Sequence, residues 1–123
     1  LGAEVSAAVA ALPERPYRRI CIAGKSMGTP LAAALAPTLS AKQVSLILLT
    51  PVSGAVQMAG DFPALAIIGT ADPRYHPADI QDTPTLQWRV YDGLDHSLEK
   101  PGDWEASIAV LPHIIAVCAD FLR

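Results

Sequence analysis

At 123 residues the chain has the length of one domain, and 51% hydrophobic residues with a mean hydropathy of +0.32 supply a buried core rather than a disordered chain. A net charge of −3, a pI near 5.4 and no basic cluster larger than Arg18-Arg19 argue against a nucleic-acid partner, whose phosphates want a basic face. No apolar run approaches the roughly 20 residues a membrane span requires, so no membrane partner is expected.

The chain begins at Leu1 rather than at methionine, which suggests a segment of something longer or a processed product. Ala7 to Leu12 is apolar, but Glu4 interrupts the stretch and no basic segment precedes it, so it does not read as a signal peptide. Val5, Ala8, Val9 and Leu12 fall at i, i+3, i+4 and i+7, predicting a helix over 4–12 that Pro13 and Pro16 end. Residues 18–23 form a predicted strand whose Ile20-Cys21-Ile22-Ala23 is apolar on both faces, as in a parallel sheet covered on both sides. An alanine-rich helix is predicted over 27–39; Pro30 falls in its first turn, where a missing N–H costs nothing, and Pro37 should shorten its far end.

A second apolar strand spans 44–49, closed by Thr50-Pro51. Residues 52–61 are too short and Gly-rich to predict a helix. A third apolar strand spans 64–68 and ends at Gly69-Thr70-Ala71-Asp72-Pro73, followed by at most one helical turn within 75–82. Leu86, Trp88 and Val90 alternate with Gln87, Arg89 and Tyr91, so 86–91 reads as a half-exposed strand near a sheet edge. The closing helix spans 103–122, N-capped by Asp103, with Trp104, Ile108, Leu111, Ile115, Cys118 and Leu122 as its expected inner stripe and a kink expected at Pro112. Trp88 and Trp104 are read as core and helix staple. Strands alternating with helical patterns predict an α/β fold, a mostly parallel sheet of about four strands flanked by helices, within one domain over 1–123.

Cys21 and Cys118 lie in apolar surroundings and read as buried free thiols, which suits a reducing, cytoplasmic setting. His76, His96 and His113 lack metal-ligand spacing, so neither a metal nor any other cofactor is expected.

The stretch that carries chemistry is Gly24-Lys25-Ser26-Met27-Gly28, a G-x-S-x-G between a predicted strand and a predicted helix. That context is the one a nucleophile elbow needs: the tight turn strains the serine backbone and aims its hydroxyl away from the sheet. The flanking Gly24 and Gly28 should both be small, because strand and helix cross there almost in contact. A serine hydroxyl needs a base, usually histidine, and the histidine needs a carboxylate to hold its tautomer. Ligands of open parallel sheets bind beyond the carboxyl ends of the strands, which favours residues just after strands. Ser26 follows the first strand, Asp72 the third and His96 the fourth. Asp61, Asp79 and Asp82 do not directly end a strand, His113 reads as a buried structural residue, and Asp95 reads as loop solvation or a cap rather than a second acid. Lys25, within the elbow, could attract an anionic substrate or simply be solvated. Tyr75 and His76 follow the acid turn, where they could line a pocket.

On Ala23-Gly-Lys-Ser-Met-Gly-Thr29, Ile67-Ile-Gly-Thr-Ala-Asp-Pro73 and Asp92-Gly-Leu-Asp-His-Ser97, in the order Ser, Asp, His, the chain resembles the α/β-hydrolase superfamily, near the small lidless esterases and dienelactone hydrolases. The resemblance implies Ser26 as nucleophile, Asp72 as acid, His96 as general base and the Met27 backbone N–H as an oxyanion donor. It covers nearly the whole chain but only the later half of the family fold. About four earlier strands, and the loop that supplies a second oxyanion N–H, have no counterpart. The first strand should therefore have an open, apolar edge, which a segment preceding Leu1, a partner chain in a homo-oligomer, or some other surface would cover. The activity implied is hydrolysis of an ester- or lactone-type acyl substrate through an acyl-enzyme. The alternative is a non-catalytic truncated remnant, or a half-domain that acts by association through its open edge.

Overall fold

A computed structural model describes residues 2–11 and 16–123; the predicted end of the first helix at Leu12 and the break at Pro13 lie outside them. The elements are α1 (Gly2–Ala10), β1 (Arg19–Lys25), α2 (Gly28–Leu35, continued by a 3-10 turn over Ala36–Thr38), β2 (Gln43–Leu49), α3 (Ala55–Ala59), β3 (Ala64–Gly69), β4 (Leu86–Tyr91) and α4 (Trp104–Phe121). The four strands form one parallel sheet in the order β1-β2-β3-β4. The chain is an α/β protein, a parallel sheet flanked by helices, as its alternating apolar strands predict. Two additions to the sequence reading are small. α3 is a five-residue helix where Gly54 and Gly60, both at positive φ, allow abrupt ends. The turn after β3 is a 3-10 turn over Pro77–Asp79.

Strand pleating sorts the apolar residues onto two faces. Leu46 and Leu48 of β2, Ala64, Ala66 and Ile68 of β3 and Trp88 of β4 pack with Ala32, Ala33 and Ala36 and with Ala59 on the α2–α3 side. Ile47, Leu65 and Ile67 pack on the other side with Leu94, Leu98 and Ile114. Every residue of β3 is buried, which is why it carries no polar side chain. The alanines of α2 bring that helix close to β1 and so set the turn between them.

Of the stripe expected to face inward on α4, all but Cys118 faces out instead. Trp104 is 70% exposed and Ile115 66%, and Ile108, Leu111 and Leu122 are exposed as well. The inner face is Val110, Ile114, Val117, Cys118 and Phe121. The helix is apolar nearly all round, so two stripes satisfy the 3.6-residue period, and only the sheet decides which of them is covered. By length and composition alone, with a mean hydropathy of 1.4, α4 is also the one described helix that could cross a membrane. It runs through Pro112 without a break, and the Asp103 side chain caps it by accepting from the Ala106 N–H. His113 is exposed rather than buried and takes a 2.9 Å hydrogen bond from or to the Tyr91 hydroxyl. Among the described residues β1 pairs with β2 alone, at one end of the sheet.

Candidate active site

The site lies at the carboxyl ends of β1, β3 and β4. Ser26 sits between the last residue of β1 and the first turn of α2 at φ 51°, a left-handed conformation that non-glycine residues rarely adopt. Its backbone is held on both sides. The Ser26 N–H donates to Leu49 O at 2.9 Å, and Ser26 O accepts from Thr29 N at 2.9 Å and from Thr29 Oγ1 at 2.7 Å. Thr29 is fully buried, and its oxygen also accepts from the Val52 N–H, which ties the turn to the end of β2. Sequence reading missed Thr29; a hydroxyl three residues after the serine, at a helix start, was the available signal. Thr50, at the end of β2, and Leu98, in the loop after β4, are the other two non-glycine residues at positive φ among those described, so backbone strain gathers at this end of the sheet.

The two motif glycines do not share one role. A Cβ on Gly24 would lie 2.4 Å from Gly28 O, while one on Gly28 would meet nothing within 4 Å. The expectation that both must be small is corrected: the crossing is tight only where the Gly24 Cα faces the carbonyl of Gly28.

His96, in the loop after β4, is brought to Ser26 across the end of the sheet. Its Nε2 lies 2.7 Å from Ser26 Oγ, and its Nδ1 lies 2.8 Å from Asp72 Oδ2. The Asp72 side chain is fully buried and its other oxygen accepts from the Arg74 N–H, whereas the imidazole is 35% exposed. A carboxylate only accepts, so Nδ1 carries the proton, and the neutral imidazole then presents Nε2 as acceptor to the Ser26 O–H. Asp61 and Asp79 are exposed, and Asp82 accepts from the Trp88 N–H instead. Asp95 caps its own loop by accepting from the Ser97 and Glu99 N–H groups, as read from the sequence.

The loops that carry Asp72 and His96 are clamped together. Gly93 N donates to Thr70 Oγ1, Thr70 Oγ1 donates to Asp92 Oδ1, and Ala71 N donates to Leu94 O. Gly69 and Leu94 approach so closely that a Cβ at Gly69 would fall 1.9 Å from Leu94 O. Met27 precedes the first residue of α2 with an exposed side chain, where backbone N–H groups of a helix start have no intrahelical partner. Lys25 Nζ donates to His96 O at 3.0 Å. His76, with Arg74 and Trp88, lines a cavity of about 310 Å³ beside the acid loop, while Tyr75 packs against the core on the α2–α3 side.

Burial pushes the thiols of Cys21 and Cys118 above their usual range; both are free and half-buried on the α4 side, away from this constellation. No group of three or more His, Cys, Asp or Glu residues able to hold a metal ion occurs among the described residues.

No protein-family model and no curated protein matches the chain. Among solved structures it is similar to a protein from Agrobacterium vitis S4 described as a "putative hydrolase", at 16% identity and a TM-score of 0.57 over 92% of this chain. At that identity the likeness shows the fold: a hydrolase-like α/β architecture. The chain spans 66% of the length of that neighbour, just under two thirds.

Proposed function

We propose that the chain is a serine hydrolase of the α/β-hydrolase type, cytoplasmic, acting on an ester- or lactone-type small-molecule acyl substrate without a cofactor. The observation that carries this reading is the unbroken hydrogen-bond line from Ser26 Oγ through His96 to buried Asp72, at 2.7 and 2.8 Å. In the proposed mechanism Ser26 Oγ attacks the acyl carbonyl as His96 Nε2 takes its proton. His96 returns that proton to the leaving group, which departs and leaves an acyl-serine. Water, deprotonated by His96, then attacks the acyl carbon; the bond from that carbon to Ser26 Oγ breaks, His96 returns the proton to Oγ, and the carboxylic acid leaves. Asp72 holds the Nδ1 proton and stabilises the imidazolium throughout. The Met27 N–H would donate to the developing oxyanion; one such donor is worth about 2.7–4 kcal/mol of barrier. Tyr75 and His76 are proposed to border the substrate, His76 from the cavity beside the acid loop.

The test is labelling by a fluorophosphonate probe of the wild-type chain and of Ser26→Ala and His96→Ala. Labelling confined to chains that keep both residues supports the proposal. Folded wild-type protein that takes up no label at Ser26 would sink it.

A second reading rests on a different observation: the edge position of β1 and the exposed apolar face of α4. We infer that such a chain could act by association through that edge, with another copy or another segment, and without turnover. A mass measurement in solution addresses it, since a clean monomer at high concentration counts against association between copies.

A further inference from the structure

The loop that carries His96 is moored unevenly. On the acid side five features fix it: Gly93 on Thr70, Thr70 on Asp92, Ala71 on Leu94, the close approach of Gly69 to Leu94, and His96 Nδ1 on Asp72. All five belong to the end of β3 and the turn that follows it. The nucleophile belongs to the end of β1, with β2 between them. On that side, among the described residues, two hydrogen bonds join the loop to the turn. One is the Ser26 Oγ to His96 Nε2 contact. The other is Lys25 Nζ to the His96 carbonyl at 3.0 Å.

These two bonds differ in what happens to them during a reaction. In the mechanism proposed above, the Ser26 hydroxyl loses its proton and becomes an acyl ester, so its bond to Nε2 is consumed. Neither the Lys25 ammonium nor the His96 carbonyl reacts. Lys25 is also well placed to hold: its backbone is the last rung of the β1–β2 ladder, paired with Leu49, so its stem starts from a rigid point. An ammonium on a carbonyl is a charge-assisted hydrogen bond, stronger than a neutral one. No carboxylate among the described residues pairs with Lys25 and competes for its ammonium.

We propose that Lys25 is a positioning residue that latches the His96 loop to the nucleophile turn, keeping the imidazole in register while Ser26 is acylated. The inference rests on the reading of Ser26, His96 and Asp72 as a hydrolytic set. It assigns Lys25 to the base loop instead of to an anionic substrate. The ammonium touches the backbone of the base and acts through it.

The test compares wild type, Lys25→Met, which keeps the stem and removes the donor, and Lys25→Arg, which restores one. Hydrolysis of the neutral ester p-nitrophenyl butyrate is followed alongside amide hydrogen exchange over residues 94–99. Lys25→Met is expected to lower kcat about tenfold with KM changed less than about twofold, and Lys25→Arg to recover most of the loss. The same 94–99 amides should exchange faster in Lys25→Met and at the wild-type rate in Lys25→Arg. Unchanged kcat and unchanged exchange in Lys25→Met would overturn the latch. So would a KM rise confined to an anionic ester such as mono-p-nitrophenyl succinate, since that marks a substrate contact. If the wild type neither hydrolyses nor labels, the hydrolytic reading fails, and the exchange comparison still decides whether Lys25 holds the loop.

Discussion

Alanine substitution at the two motif glycines should have opposite effects. At Gly24 a Cβ would stand 2.4 Å from Gly28 O, 2.7 Å from Gly28 C and 3.1 Å from Ala32 Cβ. Non-bonded heavy atoms rest about 3.5–4.0 Å apart, so β1 and α2 would have to separate by roughly 1 Å. The two nearest atoms are backbone, and no rotamer change relieves them. Overpacking a close-packed site costs about 1–3 kcal/mol, and a backbone clash puts Gly24→Ala at the upper end, near 3 kcal/mol. For a chain of this size that lowers Tm by about 10 °C. Ser26 rides on the same turn, and a displacement near 1 Å can cost about a hundredfold in rate. At Gly28 the added methyl meets nothing within 4 Å and the residue opens a helix. Alanine there removes unfolded-state freedom and should stabilise by up to about 0.5–1 kcal/mol. Thermal and urea unfolding followed by far-ultraviolet circular dichroism read both variants. Equal melting temperatures for the two, or a loss at Gly28→Ala as large as at Gly24→Ala, would refute the claim that the crossing is tight on one side only.

Asp103→Ala should remove the cap that accepts from the Ala106 N–H and cost about 1 kcal/mol in the same unfolding assay, with Asp103→Asn recovering most of it. The two thiols offer a pH readout. Burial raises the pKa of Cys21 and of Cys118, so less thiolate exists at any given pH than for an ordinary cysteine. Iodoacetamide should therefore modify both slowly at pH 8 in the folded chain and much faster in urea, as read by intact mass. Equal folded and unfolded rates would contradict the burial described for β1 and α4.

Much of this molecule was legible in residue order. Strands apolar on both faces, as at Val44–Leu49 and Ala64–Ile68, are satisfied inside a covered parallel sheet, so the α/β layering followed from burial chemistry, whereas β1, equally apolar over Ile20–Ala23, is covered only in part. The half-alternating 86–91 was equally readable as an edge. Ser26, Asp72 and His96 stood out because each follows a strand, and in a parallel sheet all strand ends open on the same side. What residue order left open was contact across the fold. The period of α4 fits two apolar stripes, and only docking on Ile47, Leu65 and Ile67 chose Ile114 over Ile115. The asymmetry between Gly24 and Gly28 depends on which Cα faces which carbonyl. Thr29 on the Val52 N–H, and Lys25 on the His96 carbonyl 71 positions away, are partners that only the closed sheet brings within hydrogen-bond range. The types of residue, and the chemistry they are able to do, were determined along the chain. Which of them touch was decided by tertiary packing, because hydrogen bonds and steric contacts act over a few ångströms in space and are blind to distance in sequence.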